Sequence, residues 1–68
     1  MSTSDRLRER LLSELEAERH THKSLRETLA EKYGYADTEI SRAISTLNDE
    51  GEIRHRQGFF ERVENGGN

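Results

Sequence analysis

Residues 24–53 read SLRETLAEKYGYADTEISRAISTLNDEGEI, and their spacing decides the fold. From Asp37 onward, Ile40, Ala43, Ile44 and Leu47 fall at i, i+3, i+4 and i+7, the apolar stripe of an amphipathic helix. Asp37 is the expected N-cap, because its carboxylate can accept from the unpaired N–H groups of a first turn. Asn48-Asp49-Glu50-Gly51 ends that helix. Just upstream, Ser24-Leu25-Arg26-Glu27 has the form of a capping box, in which Ser and Glu satisfy each other's backbone N–H groups. Leu25, Leu29 and Tyr33 then share one face, with Ala30 beside them, and Gly34 stands where a left-handed residue closes a helix. The connection between the two helices is about three residues, short enough to force a steep crossing, as in a helix-turn-helix.

Working outward, Leu7, Leu11 and Leu15 recur every fourth residue on the N-terminal side, with Leu12 widening the stripe. This predicts a helix that begins near Ser4 or Asp5 and fades at Glu18 to His20. His20-Thr21-His22-Lys23 has no apolar residue and is expected to be the connection. On the C-terminal side the period changes to that of strands: Ile53-Arg54-His55-Arg56, a Gln57-Gly58 turn, then Phe59-Phe60-Glu61-Arg62-Val63. The spacing predicts a hairpin. Phe60 faces inward in one register, while Phe59 with Val63 does so in the other; a one-residue slip exchanges them, so both stay open. The expected organisation is a tail over 1–4, one domain over 5–63 and a polar tail over 64–68.

Sixty-eight residues without a Cys admit one small domain and exclude both a disulfide framework and a thiolate zinc site. Charged residues, at 37%, outnumber hydrophobic ones at 29%, but a net charge of −3 is too small to expand the chain. No apolar run is long enough for a membrane span or a signal peptide, so the chain is expected to be cytoplasmic. A core this small leaves stability marginal, and a second copy or a ligand would add to it. A pI near 5.6 excludes general attraction to nucleic acid, so any DNA contact has to be local.

Three helices followed by a short hairpin, carried by Ser24-Leu25, Leu29-Ala30, Gly34-Tyr35, Ile40-Ser41-Arg42-Ala43-Ile44, Leu47 and Gly51-Glu52-Ile53, resemble the winged helix-turn-helix superfamily. The resemblance implies a mainly α fold with a small β-hairpin wing, and it implies duplex DNA binding, often by a dimeric transcription regulator. The third helix would lie in the major groove and the wing on the backbone or in the minor groove. In that family a small polar residue followed by Arg commonly makes the contacts, which maps DNA contact onto Ser41 and Arg42.

The residues themselves point the same way. With the stripe inward, a 100° wheel places Thr38, Arg42, Ser45 and Asp49 outward, flanked by Ser41 and Thr46. Hydroxyls can bond phosphate or base edges, and Arg42 can make a bidentate contact to guanine. Arg54, Arg56 and Gln57 give the wing a cationic surface suited to phosphates. Lys23, Ser24 and Arg26 open the second helix, whose N–H groups can hold a phosphate. Against this, Asp37, Glu39, Asp49 and Glu50 crowd the third helix and would repel phosphate wherever they faced it. His20 and His22 are too poorly supported for a metal site, no cofactor motif is present, and no nucleophile or paired carboxylate points to an enzyme. Leu12, off the main seam, leads to the expectation of a homodimer through the first helix or the C-terminal segment. The competing reading is a winged-helix module for protein interaction in a replication or transcription assembly.

Overall fold

The computed structural model of the chain describes residues 3–63. Three helices, α1 (Thr3–Ala17), α2 (His22–Tyr33) and α3 (Asp37–Asp49), precede an antiparallel hairpin of β1 (Ile53–Arg56) and β2 (Phe59–Arg62). The fold is mainly α with a small β-hairpin, the layout of a winged helix. The polar tail expected at 64–68 lies outside the described residues. No helix among those described is long and apolar enough to cross a membrane.

Every element contributes to one core. Leu7, Leu11 and Leu15 come from α1, Leu25 and Leu29 from α2, Ile40, Ile44 and Leu47 from α3, Ile53 from β1 and Phe60 from β2. These are the stripes that the 3.6-residue period selects, since i and i+4 lie one above the other on a helix. Leu12, Ala30, Tyr35 and Ala43 pack against this core and are partly buried. Tyr33, expected on the inner face of α2, is instead 38% exposed at the helix end, where the Arg10 guanidinium lies 4.2 Å from its ring centroid.

The helix boundaries depart from the sequence pattern in three places. α1 starts at Thr3, ahead of the expected Ser4 or Asp5. α2 is capped by Thr21, not Ser24: the Ser24 N–H donates to Thr21 Oγ1 at 3.0 Å, so the helix begins at His22 and, with α1 already ending at Ala17 rather than at Glu18 to His20, the connection lies two residues earlier than expected. The cap of α3 is Ala36 rather than Asp37, and its N–H donates to the Glu39 carboxylate at 3.0 Å. Glu39 thus makes half of a capping box without a hydroxyl partner. Gly34 closes α2 as expected, at φ 77° and with its N–H on the Ala30 carbonyl.

In the hairpin, Gln57 (φ 55°) and Gly58 (φ 84°) are both left-handed, as a two-residue turn that matches strand twist requires. The register pairs Ile53 with Arg62, Arg54 with Glu61, His55 with Phe60 and Arg56 with Phe59. Phe60 therefore faces the core at 7% exposure and Phe59 faces out at 38%. The alternative left open by the sequence is settled by a contact from far along the chain. The Phe60 N–H donates to the His20 carbonyl at 2.7 Å, and the His20 N–H donates to the Phe60 carbonyl at 3.3 Å, forming an antiparallel bridge. His20 is accordingly no simple connector: it is 5% exposed, and its Nδ1 shares a 2.8 Å hydrogen bond with Ser24 Oγ. Its Nε2 faces Glu14 and Glu18 at 3.8 and 3.9 Å, too far for hydrogen bonds.

This register makes the two neighbouring phenylalanines unequal. Phe60→Ala is expected to cost about 3–5 kcal/mol of folding stability, whereas Phe59→Ala stays within about 0.5 kcal/mol of wild type. Urea unfolding of both variants checks it, and the reverse ranking would refute the register.

Candidate nucleic-acid interface

The polar side of α3 is built by what the core takes away. Burying Ile40, Ile44 and Leu47 leaves Thr38, Arg42, Ser45, Thr46 and Asp49 exposed, with Ser41 partly buried at the edge of the stripe. Arg42 and Thr46 lie on the flank toward α1, where they line a shallow groove of about 240 Å³ together with Asp5, Arg8 and Glu39 over a floor of Leu7, Ala43 and Leu47. Arg42, at the middle of this side, makes no hydrogen bond, ion pair or ring contact among the described residues.

The carboxylates of α3 are largely occupied. Glu39 caps Ala36. Glu50, at the C-cap, is 2.6 Å from Arg8, which also reaches Glu52 at 3.6 Å. Asp37 lies 3.8 Å from Arg26. Among the described residues only Asp49 of these four acids lacks a partner, and it sits in the last turn. The crowd of negative charge seen in the sequence is therefore placed toward the two ends of the helix and, Asp49 apart, tied to neighbouring groups, with Glu39 alone of the four sharing the groove with Arg42.

The start of α2 is less available than expected. Ser24 spends its N–H on Thr21 and its hydroxyl on His20, and Arg26 is two-thirds buried beside Asp37 with its Nε unbonded. Lys23 alone of the three is exposed and without a partner among the described residues.

On the hairpin, Arg54, Arg56 and Gln57 are all exposed. Arg54 donates from Nε to Glu61 across the strand pair at 2.6 Å, and Arg56 lies 4.0 Å from the same carboxylate. The hydrogen bond from Arg54, reinforced by the charges of Arg54, Arg56 and Arg19, holds the Glu61 carboxyl below the ordinary glutamate value. His55, itself exposed, stacks on Phe60 at 4.6 Å between ring centroids and so covers that ring from the solvent side. Sequence reasoning missed two residues here. Arg19, read as the fading end of a helix, lies with its guanidinium 5.3 Å from the centroid of Phe59, and the outward Phe59 was one of two unresolved choices. Only the long-range bridge at His20 brings Arg19 to the hairpin, and no local signal encodes it.

No protein-family model, curated protein or solved structure matches this chain. What the surface offers is thus read from its own chemistry: one unpaired Arg among hydroxyls on α3, and a cationic face on the hairpin.

The Arg54–Glu61 pair carries a pH dependence. Because Glu61 is depressed in the folded state, its contribution is fully present above the unfolded value near about pH 4.3 and is lost as pH falls through the lower folded value. The urea midpoint is expected to drop more between about pH 6 and about pH 3 in the wild type than in Glu61→Gln. Equal drops would mean that the exposed pair is fully screened by solvent.

Proposed function

We propose that the chain is a small sequence-specific duplex DNA-binding protein, a transcriptional regulator that acts in the cytoplasm. α3 enters the major groove, and the hairpin lies on the phosphate backbone or in the minor groove. The observation that carries this reading is Arg42: it stands exposed and unpaired in the middle of α3, among Thr38, Ser45 and Thr46, while three of the four nearby acids are held at the helix ends. An unpaired guanidinium loses no intramolecular partner on binding, and its planar fork matches the O6 and N7 acceptors of guanine.

Arg54 and Arg56 supply the non-specific part. Both already face Glu61, so a phosphate competes with one shared carboxylate for two guanidinium groups. Lys23 adds a phosphate contact at the start of α2. Ser41 and Ser45 supply hydroxyls on the flank of α3 away from α1, and Ser24, Arg26 and Gln57 play a lesser part. Leu12, the reason for expecting a homodimer, is partly buried against the chain's own core, so this reading does not depend on a second copy.

Arg42→Ala is expected to weaken binding to a selected site by about 1–3 kcal/mol and to relax preference at one base pair. Arg56→Ala should instead weaken binding to every duplex and lower the salt slope by about one. Fluorescence anisotropy of labelled duplexes over a range of salt measures both. Wild-type binding by both variants would overturn the assignment of surfaces. No duplex binding by the wild type, even at low salt, would move the function to protein interaction.

A further inference from the structure

The face of the hairpin that points away from the core has its own chemistry. Cross-strand partners share a face, so Arg54, Glu61, Arg56 and Phe59 lie together on it, opposite the face of His55 and the buried Phe60. The bridge from His20 to Phe60 sets the preceding residue, Arg19, along the other side of β2. Phe59 and Glu61 thus occupy a central strand, with Arg54 and Arg56 on one side and Arg19 on the other. The ring of Phe59 is 38% exposed, one of two large hydrophobic side chains exposed among the described residues. Three guanidinium groups face the single carboxylate of Glu61.

We propose that this face binds single-stranded DNA, with one unpaired base stacked on Phe59 and the flanking phosphates held by Arg19, Arg54 and Arg56. An aromatic ring set among cations on a sheet surface meets the two requirements of an unpaired strand: a π surface for a base and positive charge for its backbone. A duplex hides the faces of its bases, so a ring lying on the flat of the sheet, as that of Phe59 does beside the Gln57-Gly58 turn, stacks only on a base that is out of the stack. The side chains of this face are arginines, Phe59 and one carboxylate whose Oε2 is bonded to Arg54, with no hydroxyl or amide group set to read a ribose 2′-hydroxyl, and this favours DNA over RNA. The site goes beyond the duplex reading, with which it shares Arg54 and Arg56 but neither Arg42 nor α3.

The test is the anisotropy of a labelled oligo-thymidine titrated with the wild type, Phe59→Leu, Phe59→Trp and Arg42→Ala at about 50 mM salt. The wild type binds, Phe59→Leu binds about tenfold more weakly, Phe59→Trp restores the affinity and Arg42→Ala leaves it unchanged. The chain contains no Trp, so the indole of Phe59→Trp is a single reporter, and its fluorescence is quenched as the base stacks. That readout stands even if Phe59→Leu were to unfold. No binding of oligo-thymidine by the wild type, equal binding by a folded Phe59→Leu, or an unquenched indole at saturation would each overturn the proposal, as would tighter binding of oligo-uridine RNA. If oligo-thymidine binds while duplexes do not, the reading of α3 falls and this one stands; the opposite pattern removes this site alone.

Discussion

Phe60 is held to the rest of the chain by backbone and side chain at once, and the placement of everything on the hairpin follows from that. Its N–H and carbonyl both pair with His20, while its ring closes the core and carries His55 stacked on one side. A two-stranded hairpin is marginal by itself in water. Here the bridge lends it a third partner, and Ile53 and Phe60 anchor both strands in the apolar interior. Because alternate residues of a strand face opposite ways, fixing Phe60 inward fixes Phe59, Arg54 and Arg56 outward. The same bridge buries His20, which bonds Ser24 and so draws the first turn of α2 toward the hairpin.

The parts of this fold legible in the sequence were those with a short-range cause. The stripe of Ile40, Ala43, Ile44 and Leu47 needs only the helical period, and Gly34 needs only a position where φ turns positive. The caps were less legible because the local code is degenerate there. Thr21 and Ser24 are both hydroxyl residues ahead of the same apolar run, and a pattern that favours Ser24 with Glu27 competes with one that starts three residues earlier. Ala36 cannot act as a side-chain cap at all, so Glu39 reaching back to its N–H is visible only once the turn is folded. The register of the hairpin and the burial of His20 had no local cause. Both arise from pairing between residues 20 and 60, and a polar imidazole does not announce itself as core.

The same distinction separates the two candidate surfaces. Which residues of α3 face solvent could be worked out from a helical wheel, and Thr38, Arg42, Ser45 and Thr46 are all exposed as that geometry requires. Whether the acids of α3 stand in the way could not, since it depends on partners supplied by α1, α2 and the turn: Arg8 for Glu50, Arg26 for Asp37 and the Ala36 N–H for Glu39. The environment of Phe59 was hidden more deeply. Arg19 is distant in sequence from the hairpin and reaches it only through the bridge.

The net charge of −3 is therefore a poor guide to what this chain can attract. Beyond a Debye length of roughly 8–10 Å at ordinary salt, a bound polyanion does not sense the total charge of the protein. It senses the groups it touches, and those divide sharply by whether they already have a partner. Arg8, Arg62 and Lys32 are each held by a glutamate, and Arg10 lies over Tyr33, so these cations stitch α1 to the other elements. Arg42 has no such duty, and Arg54 and Arg56 share one carboxylate between them. An acidic chain can in this way commit part of its positive charge to its own fold and still present an unpaired arginine on α3 and two arginines to one carboxylate on the outer face of the hairpin. Attraction at such a surface is short in range, so it selects by shape and hydrogen-bond geometry more than by steering from a distance.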